Sequence, residues 1–87
     1  MSDTFDRVKT LMAKEFQIEP ERITPDTQLS ELGVDSLAAL EFVFILEDAF
    51  KVAMDAATDL RGGLVRNVVD AVDVAMTRKQ SGTVSLA

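Results

Sequence analysis

Residues 29 to 50 read LSELGVDSLAALEFVFILEDAF, and this stretch joins a short turn to the most apolar helix in the sequence. Gly33 suits a left-handed or tight backbone, so the turn should end there. The helix should begin at Asp35 or Ser36 and run to about Phe50, because apolar residues recur at helical spacing. One face of this helix is apolar and carries Ala39, Phe42, Val43, Leu46 and Phe50.

The same helix is apolar beyond that one face. A second apolar row holds Leu37, Leu40 and Phe44. The remaining polar stripe is acidic and holds Glu41, Glu47 and Asp48. A helix that is apolar over most of its circumference either lies centrally in a bundle or shares its surface with something else. The pattern alone leaves both interpretations open, and the excess apolar surface can also line a pocket for an apolar ligand.

Further helices are predicted on both sides. Residues 4–16 are amphipathic, and Asp3 or Thr4 can cap their first turn. Residues 64–78 repeat valine with a period of about 3.6 residues, which favours a helix over the strand that valine otherwise prefers. Asp55 can cap a short third helix from Ala56 to Leu60 or Arg61, which Gly62-Gly63 would end. Residues 79–87 lack periodicity and are expected to form a flexible tail.

Residues 17–35 form a long connection, because Pro20 and Pro25 stop any regular helix there. Long loops in small domains need side chains of their own to hold them. Four regularly placed apolar residues can do this: Ile18, Ile23, Leu29 and Leu32. The sequence therefore predicts one all-α domain over residues 1–78. It is an antiparallel four-helix bundle with a long loop between helices 1 and 2 and a short third helix.

Composition excludes several classes of function. The 87 residues contain 47% apolar residues, enough for a small core, and no cysteine or histidine. A Ser-His-Asp triad, a His/Cys zinc site and a thiol nucleophile are therefore impossible. The net charge of −6 disfavours nucleic acid and anionic membranes, and favours proteins with basic patches as partners. With no signal peptide or membrane-spanning stretch in the sequence, we expect a cytoplasmic protein. We also expect it to be a monomer.

Two interpretations of Ser36 are possible, a helix cap and a site of covalent attachment. Serine at a helix start is usually a cap. However, Asp35 precedes it and caps well, and the helix N-terminus favours a phosphate attached to the Ser36 hydroxyl. From Ile23 to Phe50 there is no Lys or Arg, which is typical either of a solvated face or of a docking face for basic partners. The residues alone do not decide whether Ser36 is a cap or an attachment point. They also do not decide whether the acidic surface is a solvated face or a docking face.

The segment LGVDSLAALEFVFILEDAF resembles the attachment motif and second helix of the acyl carrier protein family. The motif itself is matched by Gly33, Asp35, Ser36 and Leu37. The loop before it is also similar to that of the family, at Ile23, Pro25, Asp26, Thr27 and Leu29. The similarity covers about residues 4 to 78, together with the acidic charge and the pattern of four helices.

This resemblance implies a carrier rather than an enzyme, with no metal site. A phosphopantetheinyl transferase would move 4'-phosphopantetheine from coenzyme A onto Ser36, and the thiol of that arm would hold acyl groups as thioesters. The resemblance implies docking to basic patches on acyl-transferring, ketosynthase or acyl-ligase enzymes through Asp35, Leu37, Glu41, Glu47 and Asp48. It also gives four candidates for an acyl pocket: Phe44, Leu46, Met54 and Val68.

Several positions depart from the family pattern. Ala38 and Ala49 replace expected acids on the second helix, Met54-Asp55 replaces an Ile-Pro pair, and Gly62-Gly63 replaces a branched apolar residue and Thr. These departures predict a specialised carrier in fatty-acid, polyketide or related lipid biosynthesis. The alternatives are a peptidyl or aminoacyl carrier and a small helical interaction module without a cofactor. A carboxylate enzyme is disfavoured, because the acids are dispersed and the bundle leaves little room for a cleft.

Overall fold

The computed structural model describes residues 3–55 and 62–85, with side chains up to residue 78. Helix α1 spans Asp3–Phe16, α2 spans Ser36–Phe50 and α3 spans Val65–Ser85. Two short 3₁₀ helices, Pro20–Arg22 and Leu29–Leu32, lie in the connection between α1 and α2. The described residues form no β-strand, only an isolated antiparallel bridge between Gln28 and Leu64. The predicted all-α class is therefore confirmed.

Helix α1 buries one face, formed by Phe5, Val8 and Met12, as its amphipathic pattern predicts. The capping prediction at its start was wrong. Asp3 is already the first helical residue and Thr4 lies inside the helix, so neither precedes it as a cap does. The Thr4 hydroxyl instead donates a hydrogen bond of 2.5 Å to Asp73 Oδ1. This bond joins the start of α1 to α3.

Helices α1 and α2 end in the same way, on a residue with a left-handed backbone that is not glycine. Gln17 has φ 56° and Lys51 has φ 58°. The following amides reach back five residues, from Ile18 N to Ala13 O at 3.0 Å and from Val52 N to Glu47 O at 3.2 Å. These are the bonds of a Schellman motif, which satisfies carbonyls at a helix end that would otherwise lack donors.

The connection between α1 and α2 is held by apolar side chains, as predicted. Ile18, Ile23 and Leu29 are buried, and Leu32 packs against the core. The predicted turn is also present, because Leu29–Leu32 forms a 3₁₀ helix that ends at Gly33 with φ 80°. The sequence did not single out a fifth anchor, Val34, which is buried between this turn and α2.

The same connection is joined by hydrogen bonds to the start of α3. Leu29 N donates to Gly63 O at 2.8 Å, Val65 N to Thr27 O at 2.9 Å, and Arg66 N to Pro25 O at 3.0 Å. Arg66 also forms an ion pair with Asp26. We call this contact between residues 25–29 and residues 63–66 the junction. It fixes the segment that leads into α2.

Helix α3 buries a valine face, as its 3.6-residue period predicts. The buried residues are Val65, Val68, Val69, Ala71, Val72 and Ala75. Its predicted end near residue 78 was wrong, because the helix continues to Ser85. Residues 79–81 contain no glycine or proline to stop it. Flexibility of residues 79–87 stays a prediction. The predicted third helix over Ala56 to Leu60 or Arg61 lies outside the described residues.

The helices pack around one apolar core. Helix α1 runs antiparallel to α2, since Arg7 lies over the ring of Phe50 at 4.2 Å and the rings of Phe16 and Phe42 are 5.5 Å apart. The largest side chains with almost no exposure are Met12, Leu46, Val8, Val43, Val65, Val68 and Val72. No buried polar or charged residue is found in the described parts of the chain. The bundle thus holds the start of α2 at its surface.

Candidate functional site

Ser36 is the first residue of α2 and is exposed to solvent. Asp35 precedes it with an extended backbone, and its Oδ1 accepts a hydrogen bond from Ala38 N at 2.8 Å. Asp35 is therefore the N-cap. Within residues 3–55 and 62–85 the Ser36 hydroxyl makes no hydrogen bond. The hydroxyl is thus accessible and is not used for capping, as the sequence predicted.

The backbone around Ser36 suits a phosphate group. The amides of Ser36 and Leu37 lie in the first turn and find no acceptor in the described part of the chain. The first turn of a helix also carries partial positive charge, and this turn contains no acidic residue. A phosphodiester on the Ser36 oxygen would meet free N–H donors and a favourable dipole. The residues present therefore fit a phosphate-linked group at this position.

The turn before Ser36 connects the site to the core. Gly33 N donates to Ser30 O and Val34 N to Leu29 O, each at 3.1 Å. Gly33 has φ 80°, a conformation that side-chain-bearing residues rarely adopt. Val34 is buried two residues before Ser36. Ser36 is therefore held outward by a turn that is itself packed against the core, and Val34 is the supporting residue that the sequence analysis missed.

The five residues predicted to bind partners are placed differently from one another. Leu37 and Glu41 are exposed, and Glu41 has no partner among the described residues. Asp35 caps α2. Glu47 is half-buried, and its Oε2 accepts a hydrogen bond from Met54 N at 2.9 Å. Asp48 lies 3.7 Å from Lys51 on the surface. The structure thus leaves Leu37 and Glu41 free for a partner and gives the three others contacts within the chain.

Three of the four predicted pocket residues meet in the apolar core, and the fourth lies outside it. Leu46 and Val68 are fully packed in the core, and Met54 is half-buried against it. Phe44 is exposed and lies outside the core cluster. One groove of about 540 Å³ lies near the end of α2, lined by Glu47, Lys51, Val52, Ala53, Ala75 and Arg78. None of the four lines it, so their role in binding an acyl chain stays a prediction.

No group of three or more His, Cys, Asp or Glu side chains in residues 3–55 and 62–85 could hold a metal ion. The described helices include none that is long and apolar enough to cross a membrane.

Comparison with known proteins shows which family this chain resembles. The family model described as "phosphopantetheine attachment site" matches residues 6–72. An acyl carrier protein of Zymomonas mobilis subsp. mobilis is 31% identical over 74 residues, which are 84% of this chain and 95% of that protein. The acyl carrier protein AcpXL of Brucella melitensis biotype 1 is 41% identical over 51 residues, which are 58% of this chain and 55% of that protein.

The matched region, together with the helical bundle, defines a carrier domain for a phosphopantetheine group. The chain belongs to the acyl carrier protein family, as the sequence analysis predicted. Its cofactor is 4'-phosphopantetheine, whose thiol holds acyl groups when the arm is attached. The protein is a carrier and not an enzyme, and it works with a phosphopantetheinyl transferase and with biosynthetic enzymes.

Proposed function

We propose that Ser36 is the residue that carries 4'-phosphopantetheine. The proposal rests on one observation. The Ser36 hydroxyl is exposed and has no partner in the described chain, and Asp35 already caps the helix start at which it lies. The position lies inside the region matched by the phosphopantetheine attachment family. No other serine in that region stands at the start of an α-helix: Ser30, its one companion, lies in the 3₁₀ turn.

Attachment replaces a phosphoanhydride bond of coenzyme A with a phosphate ester bond to the serine. The Ser36 oxygen forms a bond to the phosphorus that bears the pantetheine arm of coenzyme A, the pyrophosphate bond breaks, and the nucleotide leaves. The hydroxyl proton must be removed, and this chain contains no histidine or cysteine to accept it. Asp35, the carboxylate next to Ser36 in the sequence, already accepts the Ala38 amide as the N-cap, so we propose that the transferase supplies the base. The contribution of this chain is to present the hydroxyl and to stabilise the phosphate with its free amides.

We further propose that the chain is a specialised carrier in fatty-acid, polyketide or related biosynthesis. Alanine stands at positions 38 and 49 of α2, where the family pattern has acidic residues. Two similar proteins carry a separate name, acyl carrier protein AcpXL, and this separate name supports the proposal. If its gene restored normal growth to cells lacking an essential housekeeping carrier, this part of the proposal would fail. A cytoplasmic location and a monomeric state remain predictions.

Intact-mass measurement tests the attachment site. The purified chain is incubated with coenzyme A, magnesium and a phosphopantetheinyl transferase of broad range, and we expect one added phosphopantetheine mass. Ser36→Ala should gain none. Ser30→Ala is the matched control, because Ser30 is also exposed and lies six residues earlier in the sequence, and it should be modified like the wild type. Addition to Ser36→Ala would refute the site, and no addition to the wild type would refute the proposal.

Loading of the attached arm addresses the cargo. The same transferase can be supplied with coenzyme A that already bears an acyl, ketide or aminoacyl group, and the loaded carriers offered to extracts of the source cells. We expect turnover of acyl or ketide groups. Selective turnover of aminoacyl groups would instead support the alternative of a peptidyl or aminoacyl carrier.

A further inference from the structure

The turn that leads into α3 contains two glycines in succession, which we call the glycine turn. Gly62 and Gly63 have φ 99° and 71°, a region that other residues rarely adopt. Glycine also has more backbone freedom than any other residue, so a pair of glycines does not keep one shape by itself. Gly63 nevertheless belongs to the junction, where its carbonyl accepts a hydrogen bond from Leu29 N at 2.8 Å. Another group must therefore hold this turn in place.

Asn67 on α3 is that group. Its Oδ1 accepts a hydrogen bond from Leu64 N at 2.9 Å, and its own N–H donates to Leu64 O at 3.0 Å. This reciprocal pair fixes Leu64 at the start of α3, in the manner of a capping box. Asn67 Oδ1 is also close to Gly62, since a Cβ atom at Gly62 would lie 2.5 Å from it. The Asn67 side chain thus lies against both neighbours of Gly63.

The contacts continue from Gly63 to the residues before Ser36. Leu29 donates its amide to Gly63 O, and its own carbonyl accepts the Val34 amide at 3.1 Å. Leu29 and Val34 are both buried, and Val34 lies two residues before Ser36. A short series of hydrogen bonds therefore joins Asn67 to the turn that presents the Ser36 hydroxyl.

We propose that Asn67 is a positioning residue for the reaction at Ser36. Its side chain fixes the glycine turn, the turn fixes Leu29, and Leu29 fixes the segment that ends at Ser36. The Ser36 hydroxyl is thereby presented to the phosphopantetheinyl transferase in one orientation, although Asn67 belongs to a different helix. This inference rests on the proposed attachment at Ser36.

A purely structural role for Asn67 would have a different outcome. One hydrogen bond contributes only a small part of the stability of a domain, so a chain without it stays folded. If Asn67 served stability alone, the folded variant would react at the rate of the wild type. If Asn67 positions Ser36, the folded variant binds the transferase normally but places the hydroxyl less accurately. The rate of the transfer step then falls while binding is unchanged.

Single-turnover transfer of phosphopantetheine, followed by intact mass, tests the proposal. The transferase is kept in excess and its concentration is varied, which gives the maximum rate and the concentration at half that rate. We expect Asn67→Ala to lower the maximum rate about fivefold, with the half-saturating concentration unchanged. Asn67→Asp keeps an oxygen acceptor on a side chain of the same length, and its maximum rate should stay within about twofold of the wild type.

Thr4→Ala is the matched control. The Thr4 hydroxyl donates a hydrogen bond to Asp73 Oδ1, so this variant also removes one side-chain hydrogen bond of α3, but at its contact with α1. Its maximum rate should equal that of the wild type. Circular dichroism and urea denaturation confirm that each variant is folded under the assay conditions.

Hydrogen exchange tests the connection without any reaction. In Asn67→Ala we expect the Leu29 and Val34 amides to exchange about tenfold faster than in the wild type, because their hydrogen bonds open more often. The amides of Val43 and Leu46, which lie within α2, should be unchanged. This measurement does not depend on attachment at Ser36, so it tests the connection even where the proposed function fails.

Three results would overturn the inference. The first is a wild-type maximum rate for folded Asn67→Ala. The second is an equal loss of rate in Thr4→Ala, or no recovery in Asn67→Asp, because the acceptor at position 67 would then not be the cause. The third is unchanged exchange at Leu29 and Val34 in Asn67→Ala. Modification of the wild type at Ser36 in the same assay separates the first two results from a failure of the proposed function.

Discussion

Gly62 adopts a backbone conformation that a side chain would not tolerate. Its φ is 99°, and a Cβ atom there would lie 2.5 Å from Asn67 Oδ1. That oxygen accepts a hydrogen bond from Leu64 N at 2.9 Å, just before α3 begins. We expect Gly62→Ala to lower the free energy of unfolding by about 2 kcal/mol, because backbone strain and loss of this bond add together. Urea denaturation measures the change.

Gly63 provides the control for that prediction. It also has a positive φ, 71°, but a Cβ atom there would meet nothing within 4 Å. Gly63→Ala should therefore cost only the conformational strain, about 1 kcal/mol. Equal losses for the two variants would show that the contact with Asn67 contributes nothing to stability.

At the scale of single residues, the sequence predicted those roles that depend on near neighbours. Asp35 caps α2 and Ser36 stays exposed, because capping needs only the following three residues. The internal contact of Glu47 could not be predicted in this way. It requires the chain to reverse after α2 so that Met54 N meets the carboxylate, and no short-range pattern specifies that reversal. Val34 was missed because its apolar side chain lies within the motif assigned to attachment.

At the scale of helices, the C-terminal ends of α1 and α2 each carry backbone strain that a substitution can remove. Lys51 and Gln17 have left-handed backbones, where glycine is free of the clash that other residues meet. Lys51→Gly should raise the free energy of unfolding by about 0.5 to 1 kcal/mol, and Gln17→Gly by a similar amount. Thermal and urea unfolding of the two variants and of the wild type measure this.

A neighbouring position tests the reasoning. Asp48→Gly, inside the last turns of α2, should destabilise by about 1 kcal/mol, because glycine weakens a helix interior. If Lys51→Gly lowered stability as Asp48→Gly does, the left-handed end of α2 would not be a source of strain. These ends were not predicted from sequence, since a lysine or glutamine gives no local signal of a left-handed conformation.

The junction between the first connection and α3 should be visible in hydrogen exchange. The amides of Leu29 and Val65 donate to carbonyls across the junction at 2.8 and 2.9 Å, and both residues are buried. We expect exchange of both to be slowed as much as that of amides within α2. The Ser36 and Leu37 amides have no acceptor in the described chain and should exchange fast. Fast exchange at Leu29 and Val65 would contradict the junction.

The junction also marks a limit of prediction at this scale. The apolar anchors in residues 17–35 and the turn ending at Gly33 were predicted, because apolar spacing and glycine indicate them locally. Their partners on α3 were not, since pairing between Asp26 and Arg66 joins positions far apart in the sequence. The ion pair is exposed and should contribute less than about 1 kcal/mol. The backbone bonds beside it hold the two segments together.

For the whole molecule, stability should depend on the buried face of α2 and not on its exposed apolar residues Leu37, Leu40 and Phe44. Leu46 is fully buried, so Leu46→Ala should lower the free energy of unfolding by about 3 kcal/mol. Phe44→Ala should change it by less than about 0.5 kcal/mol, because that ring is largely exposed. Urea denaturation of both variants and of the wild type measures these two changes in the free energy of unfolding. A loss of stability for Phe44→Ala as large as that for Leu46→Ala would show that the ring packs inside the domain.

The bundle as a whole was the part most open to prediction. Helical periodicity in residues 4–16 and 64–78 determines which faces are apolar, and burying those faces together requires a bundle. The end of α3 was misplaced because small polar residues weaken a helix without stopping it. The acyl pocket could not be predicted from the sequence, because apolar residues that line a pocket and apolar residues that fill a core follow the same pattern.

The junction has a consequence for the timing of modification. It links residues that precede Ser36 to residues 63–66, which leave the ribosome much later. During synthesis α2 can become helical early, but the turn that leads into it lacks its bonding partners until the beginning of α3 emerges. The proposed attachment site therefore takes its final shape only after residues 63–66 have been synthesised. A transferase that requires this shape would not modify chains that lack residues 63–66. Coenzyme A would then be consumed only by chains that can form the junction.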